Sequence, residues 1–105
     1  MTRVYQKLVR DRIPEIIRQQ GEEPICRRLE KGEYLWELRR KLQEEMNEFL
    51  VENDPMELAD LYEVMDALAE LLGGKEKIKK LQQEKRAKNG SFDERVYLQE
   101  VRSKK

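Results

Sequence analysis

Two runs of apolar residues recur at three- and four-residue steps, and one Asn53-Asp54-Pro55 break separates them. Leu35, Leu38, Leu42, Met46 and Phe49 precede the break; Leu58, Leu61, Met65, Leu68 and Leu72 follow it. That spacing is the period of an amphipathic helix. Asp54 suits the cap of the second helix, Pro55 its first position, and Glu57 the positive end of its dipole. Gly73-Gly74 is a stop signal. Residues 33–72 are therefore expected to form a helical hairpin, and two such hairpins make a four-helix bundle. The expected class is all-α, with a four-helix-bundle-type core completed by oligomerisation.

The whole chain, residues 1–105, reads as a single domain, with no internal repeat or low-complexity linker. Leu, Ile, Val and Phe together number 26 of 105 residues, enough to argue against disorder but few for this length. Sharing apolar surface in a homodimer or homotetramer is the natural remedy.

Outside the hairpin the signals are shorter. Residues 3–9 carry β-branched and aromatic side chains and are compatible with an extended segment. Asp11 is suited to cap a short helix that tolerates Pro14 in its first turn, with Ile13, Ile16 and Ile17 as its apolar face and Gly21 as its stop. Residues 25–29 read as a short strand or an extended arm. A third, more charged helix is expected over residues 75–88, followed by an Asn89-Gly90-Ser91 turn. Phe92 to Val101 read as a helix or an extended arm.

The absences narrow the chemistry. There is no histidine, which excludes Ser-His-Asp and Cys-His catalysis and His-ligated zinc. The single Cys26 forms no internal disulfide and no Cys-x-x-Cys site. No apolar run reaches the ~20 residues of a membrane span, and no signal-peptide apolar region opens the chain, so the expected setting is cytoplasmic with no membrane partner. Lys and Arg total 22, as do Asp and Glu. That balance disfavours nucleic acid as a partner, although residues 75–88 are locally basic. An enzyme of this composition must use carboxylates, Lys, Arg, Tyr or an oxygen-held metal.

Two acidic clusters stand on the hairpin, Glu44-Glu45-Met46-Asn47-Glu48 and Glu57-Leu58-Ala59-Asp60. Spacing alone is weak, since Glu30/Glu33 and Glu63/Asp66 repeat it. Angles say more. At ~100° per residue, with Glu45 or Glu57 set to zero, each apolar stripe centres near ~60°, and Glu48 or Asp60 falls near ~−60°. In an antiparallel pair, offsets of one sign land on one side, so Glu45, Glu48, Glu57 and Asp60 should converge on one edge. Four carboxylates there repel and raise one another's pKa. Arg39, Arg40 and Lys41 stand near enough in sequence to neutralise them. The other remedy is a hard divalent cation such as Mg²⁺, which takes oxygen ligands. Glu44 falls away from the seam by the same count.

Glu44-Glu45-x-x-Glu48 followed by Glu57-x-x-Asp60 resembles the signature of the all-α nucleoside triphosphate pyrophosphohydrolases, the MazG-like superfamily. The opening Tyr5-Gln6-Lys7-Leu8-Val9-Arg10-Asp11-Arg12-Ile13-Pro14-Glu15-Ile16-Ile17 is similar to that of a small house-cleaning subgroup. Lys88-Asn89-Gly90-Ser91-Phe92 with Val96-Tyr97-Leu98 resembles a Gly-Gly-Phe segment of the same subgroup. There are two departures. Only eight residues separate Glu48 from Glu57, a gap shorter than usual, and Asn89 and Ser91 stand near where the subgroup tends to have Arg and Gly.

The resemblance implies a helical bundle in a dimer or tetramer that hydrolyses a nucleoside triphosphate, or a modified one, to monophosphate and pyrophosphate. It implies Mg²⁺, with Mn²⁺ as a substitute, on Glu45, Glu48, Glu57 and Asp60. Such chemistry needs positioning and charge neutralisation more than a side-chain nucleophile. Glu48 is the candidate catalytic residue, orienting or deprotonating the attacking water. Lys7, Arg10, Arg86 and Lys88 are the candidate phosphate contacts, although Arg10 has Asp11 and Glu15 as rival partners. Among the aromatics available for a base, Trp36 and Phe92 are expected to pack in a core, and Tyr62 lies one turn from the acids. The contrasting reading is a non-catalytic helical interaction module, dimerising through its Leu stripes, with the acids as a solvated face.

Overall fold

The computed structural model describes residues 1–104. Those residues form four helices: α1, Ile13–Gln19; α2, Lys31–Glu52; α3, Pro55–Leu71; and α4, Lys75–Asn89. No strand occurs among the described residues, so residues 3–9 and 25–29 are irregular, and so are residues 91–104. The fold is all-α with a hairpin core.

The hairpin is made by local chemistry at its turn. Only Asn53 and Asp54 lie between α2 and α3. Asn53 takes the left-handed conformation, φ 52° and ψ 35°, and its N–H donates to the Phe49 carbonyl at 2.8 Å. Asparagine tolerates that conformation better than most residues. The Asp54 side chain accepts from the Met56 N–H at 2.9 Å, and Pro55 fills the first helical position. So short a link forces the two helices antiparallel and side by side. At the far end of α3, Gly73 has φ 112°, and the Gly74 N–H donates to the Ala69 carbonyl at 2.8 Å. That bond closes a Schellman-type stop.

The N-terminal helix corrects one expectation. The cap position of α1 belongs to Arg12, not Asp11, and no side chain bonds there. The Ile13 N–H donates instead to the Arg10 carbonyl at 3.1 Å, Pro14 brings no N–H to satisfy, and Glu15 places a negative charge in the first turn.

The core is one seam between α2 and α3. Leu38, Leu61, Val64 and Ala69 are buried, with Glu45 beside them. The apolar stripes are wider than one partner helix covers. Met46 on α2 and Leu58, Met65 and Leu72 on α3 remain exposed, while Val64 on α3 and Glu45 on α2 take buried places. The seam therefore lies rotated toward the acids. Trp36 and Phe92 are not core residues: they are 63% and 97% exposed, and the Arg39 guanidinium rests 4.7 Å from the Trp36 ring centre. Helix α4 packs only against α3 and otherwise projects outward. The radius of gyration is 19.4 Å, against ~13 Å for a compact chain of this length. No helix is long and apolar enough to cross a membrane among the described residues.

Candidate metal centre

The rotation of the seam places carboxylates inside it. Glu45 lies seven residues after Leu38, two turns along the same buried line of α2. On α3, Glu57 lies seven residues before Val64 and Asp60 four before it. Antiparallel packing brings the two lines together. One carboxylate oxygen from each of Glu45, Glu57 and Asp60 lies within 4.8 Å of the other two. Glu45 is only 7% exposed, whereas Glu57 and Asp60 are half-buried and Glu48 is exposed. Glu48 stands at the open edge, close enough to raise the carboxyl pKa of both Glu45 and Glu57.

Charge in this place is under-compensated. Burial pushes the Glu45 carboxyl above the usual carboxylate range; the Glu48 and Asp60 charges push it further, and Lys41 partly opposes them. Burial also raises Glu57, followed by Glu48, Asp60 and Glu45. The neutralising cations are few. Of the three expected on α2, Lys41 alone reaches the acids, at 3.6 Å from Glu45 and 3.5 Å from Glu44. Arg40 turns to Glu37, and Arg39 stacks on Trp36. The Glu45 Oε2 and Glu57 Oε2 atoms are buried without a hydrogen-bond partner. A buried carboxylate oxygen left so is costly unless something positive meets it.

The N-terminal segment supplies the second cation. Arg10 donates to Asp60 Oδ1 at 2.8 Å and reaches Glu63 at 3.8 Å, so its partners are neither Asp11 nor Glu15. Lys7 lies 3.7 Å from Glu44, which Lys41 also touches. Glu44 thus belongs to a surface ion-pair group and not to the carboxylate trio. Between this segment and α2 runs an open groove of about 340 Å³, whose lining includes Lys7, Arg40, Lys41 and Glu44. Arg40, weighed in the sequence only as a counter-charge for the acids, lines this groove and pairs with Glu37 instead.

The remaining candidates lie apart. Tyr62 is exposed on the flank of α3 away from Asp60, on a ~100°-per-residue count. Arg86 pairs with Asp93 at 3.7 Å, and Lys88 makes no ion pair among the described residues. Both stand on α4, which does not touch α2.

A divalent cation fits what is present. The donors are all carboxylate oxygens, the type hard cations take. Ligands of an ion held at ~2.0–2.5 Å stand ~3–5 Å from one another, the spacing range already found between these side chains. Glu45, Glu57 and Asp60 would hold it, with Glu48 at the rim. No family model, curated protein or solved structure matches the chain.

Proposed function

We propose that the chain is a Mg²⁺-dependent nucleoside triphosphate pyrophosphohydrolase of the MazG-like kind, working in the cytoplasm as a homodimer or homotetramer, with Mn²⁺ as a substitute cation. The observation that carries this reading is the trio Glu45, Glu57 and Asp60 with two buried oxygens unpartnered. The likeness of the acidic signature to that superfamily, and of the Tyr5–Ile17 string to its house-cleaning subgroup in a separate part of the chain, supports it.

Each side chain then has a task. Glu45, Glu57 and Asp60 hold the cation at the edge of the seam that buries Leu38, Leu61 and Val64. A bound Mg²⁺ supplies charge neutralisation for the triphosphate and lowers the pKa of coordinated water. Glu48, exposed at the rim, has room to orient a water and accept its proton as the bond between the α- and β-phosphates breaks. Lys7, Arg40 and Lys41 give the adjoining groove cationic partners for phosphate oxygens. Arg10 is now held by Asp60 and Glu63, and a triphosphate would compete for it. The products are the nucleoside monophosphate and pyrophosphate. Arg86 and Lys88 act at this centre only if α4 comes from elsewhere in an assembly.

The test is pyrophosphate release across a panel of ordinary and modified nucleoside triphosphates, with Mg²⁺, with Mn²⁺ and with chelator. Metal-dependent release that disappears in Glu48→Gln and Asp60→Asn, with helicity retained, is the expected result. Silence across the panel favours the second reading, a non-catalytic helical interaction module. The broad apolar surface left open on the hairpin is the observation that speaks for that alternative.

A further inference from the structure

Among the described residues, two basic side chains meet Glu45, Glu48, Glu57 and Asp60, and they are held differently. Lys41 stands on α2 itself, one turn from Glu45, with its side chain 20% exposed. Arg10 comes from the segment before α1, fifty residues from Asp60, and its side chain is 56% exposed. Its Nη2 donates to Asp60 Oδ1 at 2.8 Å, and its Nη1 lies 3.8 Å from Glu63 Oε1. Asp60 and Glu63 are three residues apart on α3, so one guanidinium reaches neighbouring turns of one face. Only Asp60 of that pair belongs to the carboxylate trio. Among the described residues, α1 packs against no other helix, and residues 1–12 reach the hairpin through two ion-paired side chains, Arg10 and Lys7.

Asp60 does not need Arg10 in order to face the trio. Helix α3 carries it there, three residues after Glu57 and four before the buried Val64. What Arg10 does is occupy a ligand. One carboxylate does not serve a guanidinium and a doubly charged ion at full strength, because the two like charges repel across it. The contest is uneven. An exposed ion pair is weak by itself, whereas the ion also meets two unpartnered oxygens, Glu57 Oε2 and the Oε2 of Glu45, a residue more than nine-tenths buried. Glu63 gives a displaced guanidinium a second seat already within reach. Resting on the reading that the trio is a cation centre, we propose that Arg10 is its displaceable counter-ion. It sits on Asp60 in the cation-free protein and passes to Glu63 when a divalent cation binds. Arg10 thereby lowers cation affinity and ties the state of the centre to the N-terminal segment. The coupling is reciprocal: whatever draws Arg10 off Asp60 favours the cation.

Mn²⁺ affinity of the full chain without nucleotide, read from the free-ion signal in electron paramagnetic resonance, tests this. Circular dichroism checks that each variant keeps its helicity. Arg10→Ala removes the competitor and should bind Mn²⁺ at least about fivefold more tightly than the wild type. Arg12→Ala removes the same charge from the same segment, but Arg12 pairs with Glu15 at 3.3 Å and is well exposed. In ~0.1 M salt it should stay within about twofold of the wild type. Glu63→Gln removes the second seat, so it should weaken Mn²⁺ in the wild type and do so less in the Arg10→Ala background. Arg10→Ala that binds Mn²⁺ as the wild type does, or more weakly, overturns the proposal. So does Arg12→Ala gaining as much as Arg10→Ala, since net charge alone would then act. An equal loss from Glu63→Gln in both backgrounds overturns the transfer to Glu63. No Mn²⁺ bound by any of these proteins overturns the proposal together with the cation centre. Tighter binding by Arg10→Ala in a protein that releases no pyrophosphate supports the counter-ion and refutes only the hydrolase reading. Metal-dependent pyrophosphate release with Mn²⁺ affinity indifferent to Arg10 does the reverse.

Discussion

Glu45→Gln keeps the side-chain shape and removes one charge from the seam. In the wild type that charge lies within 4.8 Å of an Asp60 carboxylate oxygen and is 7% exposed. Two like unit charges at such a separation repel by ~0.9 kcal/mol in bulk water and ~3.5 kcal/mol at an effective dielectric of ~20. Lys41, 3.6 Å from Glu45, returns part of this, and the open Glu48 edge favours the screened limit. The net relief is therefore ~1 kcal/mol, worth a rise of ~4–8 °C in Tm for a domain near this size. Without a cation, the Gln variant should melt above the wild type. With Mg²⁺ at ~100 times its Kd, the wild type gains ~2.7 kcal/mol by linkage. The order should then reverse, since Gln supplies a poorer ligand. Thermal unfolding followed by circular dichroism, at one fixed protein concentration with and without millimolar Mg²⁺, reads both effects. A Gln variant that melts lower in chelator, with Mg²⁺ shifting neither protein, would refute the reasoning: the carboxylates would then be structural salt-link partners.

Three further outcomes are expected. The raised pKa values of Glu45 and Glu57 mean that the folded state binds protons more tightly than the unfolded chain. Their contribution to metal-free stability is thus full below the ordinary carboxylate pKa and is lost as pH rises through the raised values, and denaturant midpoints should fall over that window. Saturating Mg²⁺ should flatten the fall. Asp54→Ala removes the bond to the Met56 N–H and should lower the unfolding free energy by ~1 kcal/mol in urea titration, with no change in the acids' own spacing. Arg10→Ala frees Asp60 and removes a cation from the edge; if the centre turns over nucleotides, KM should rise more than kcat falls in steady-state assays.

What could be read from sequence followed how local the cause was. The Asn53-Asp54-Pro55 turn and the Gly73-Gly74 stop are decided within four or five residues, and the structure forms both where expected. The meeting of Glu45, Glu57 and Asp60 followed from helix angles once the hairpin was accepted. The sense in which the seam rotates did not, because both stripes are broader than one helix can cover. That rotation buries Glu45, leaves Glu48 at the rim and exposes Leu58 and Met65. Trp36 and Phe92 were misplaced for a related reason: hydrophobic side chains are assigned to a core by default, whereas both stand exposed, Trp36 beneath the Arg39 guanidinium. Asp11 lost the cap to Arg12 because the helix begins one residue later than its capping chemistry suggests. The ion pair between Arg10 and Asp60 joins residues fifty apart, beyond the reach of any periodicity.

The two-residue link at Asn53 and Asp54 also works as a gauge block. It leaves no slack between Glu48 and Glu57, so the phase of one helix against the other is fixed by residue count alone. A single residue added to α2 between Glu48 and the link would swing Glu45 by ~100° and slide it ~1.5 Å, carrying it out of register with Glu57 and Asp60. Length changes here should be survivable only in steps close to whole turns, whereas the same additions after Gly90 would leave this edge of the molecule untouched.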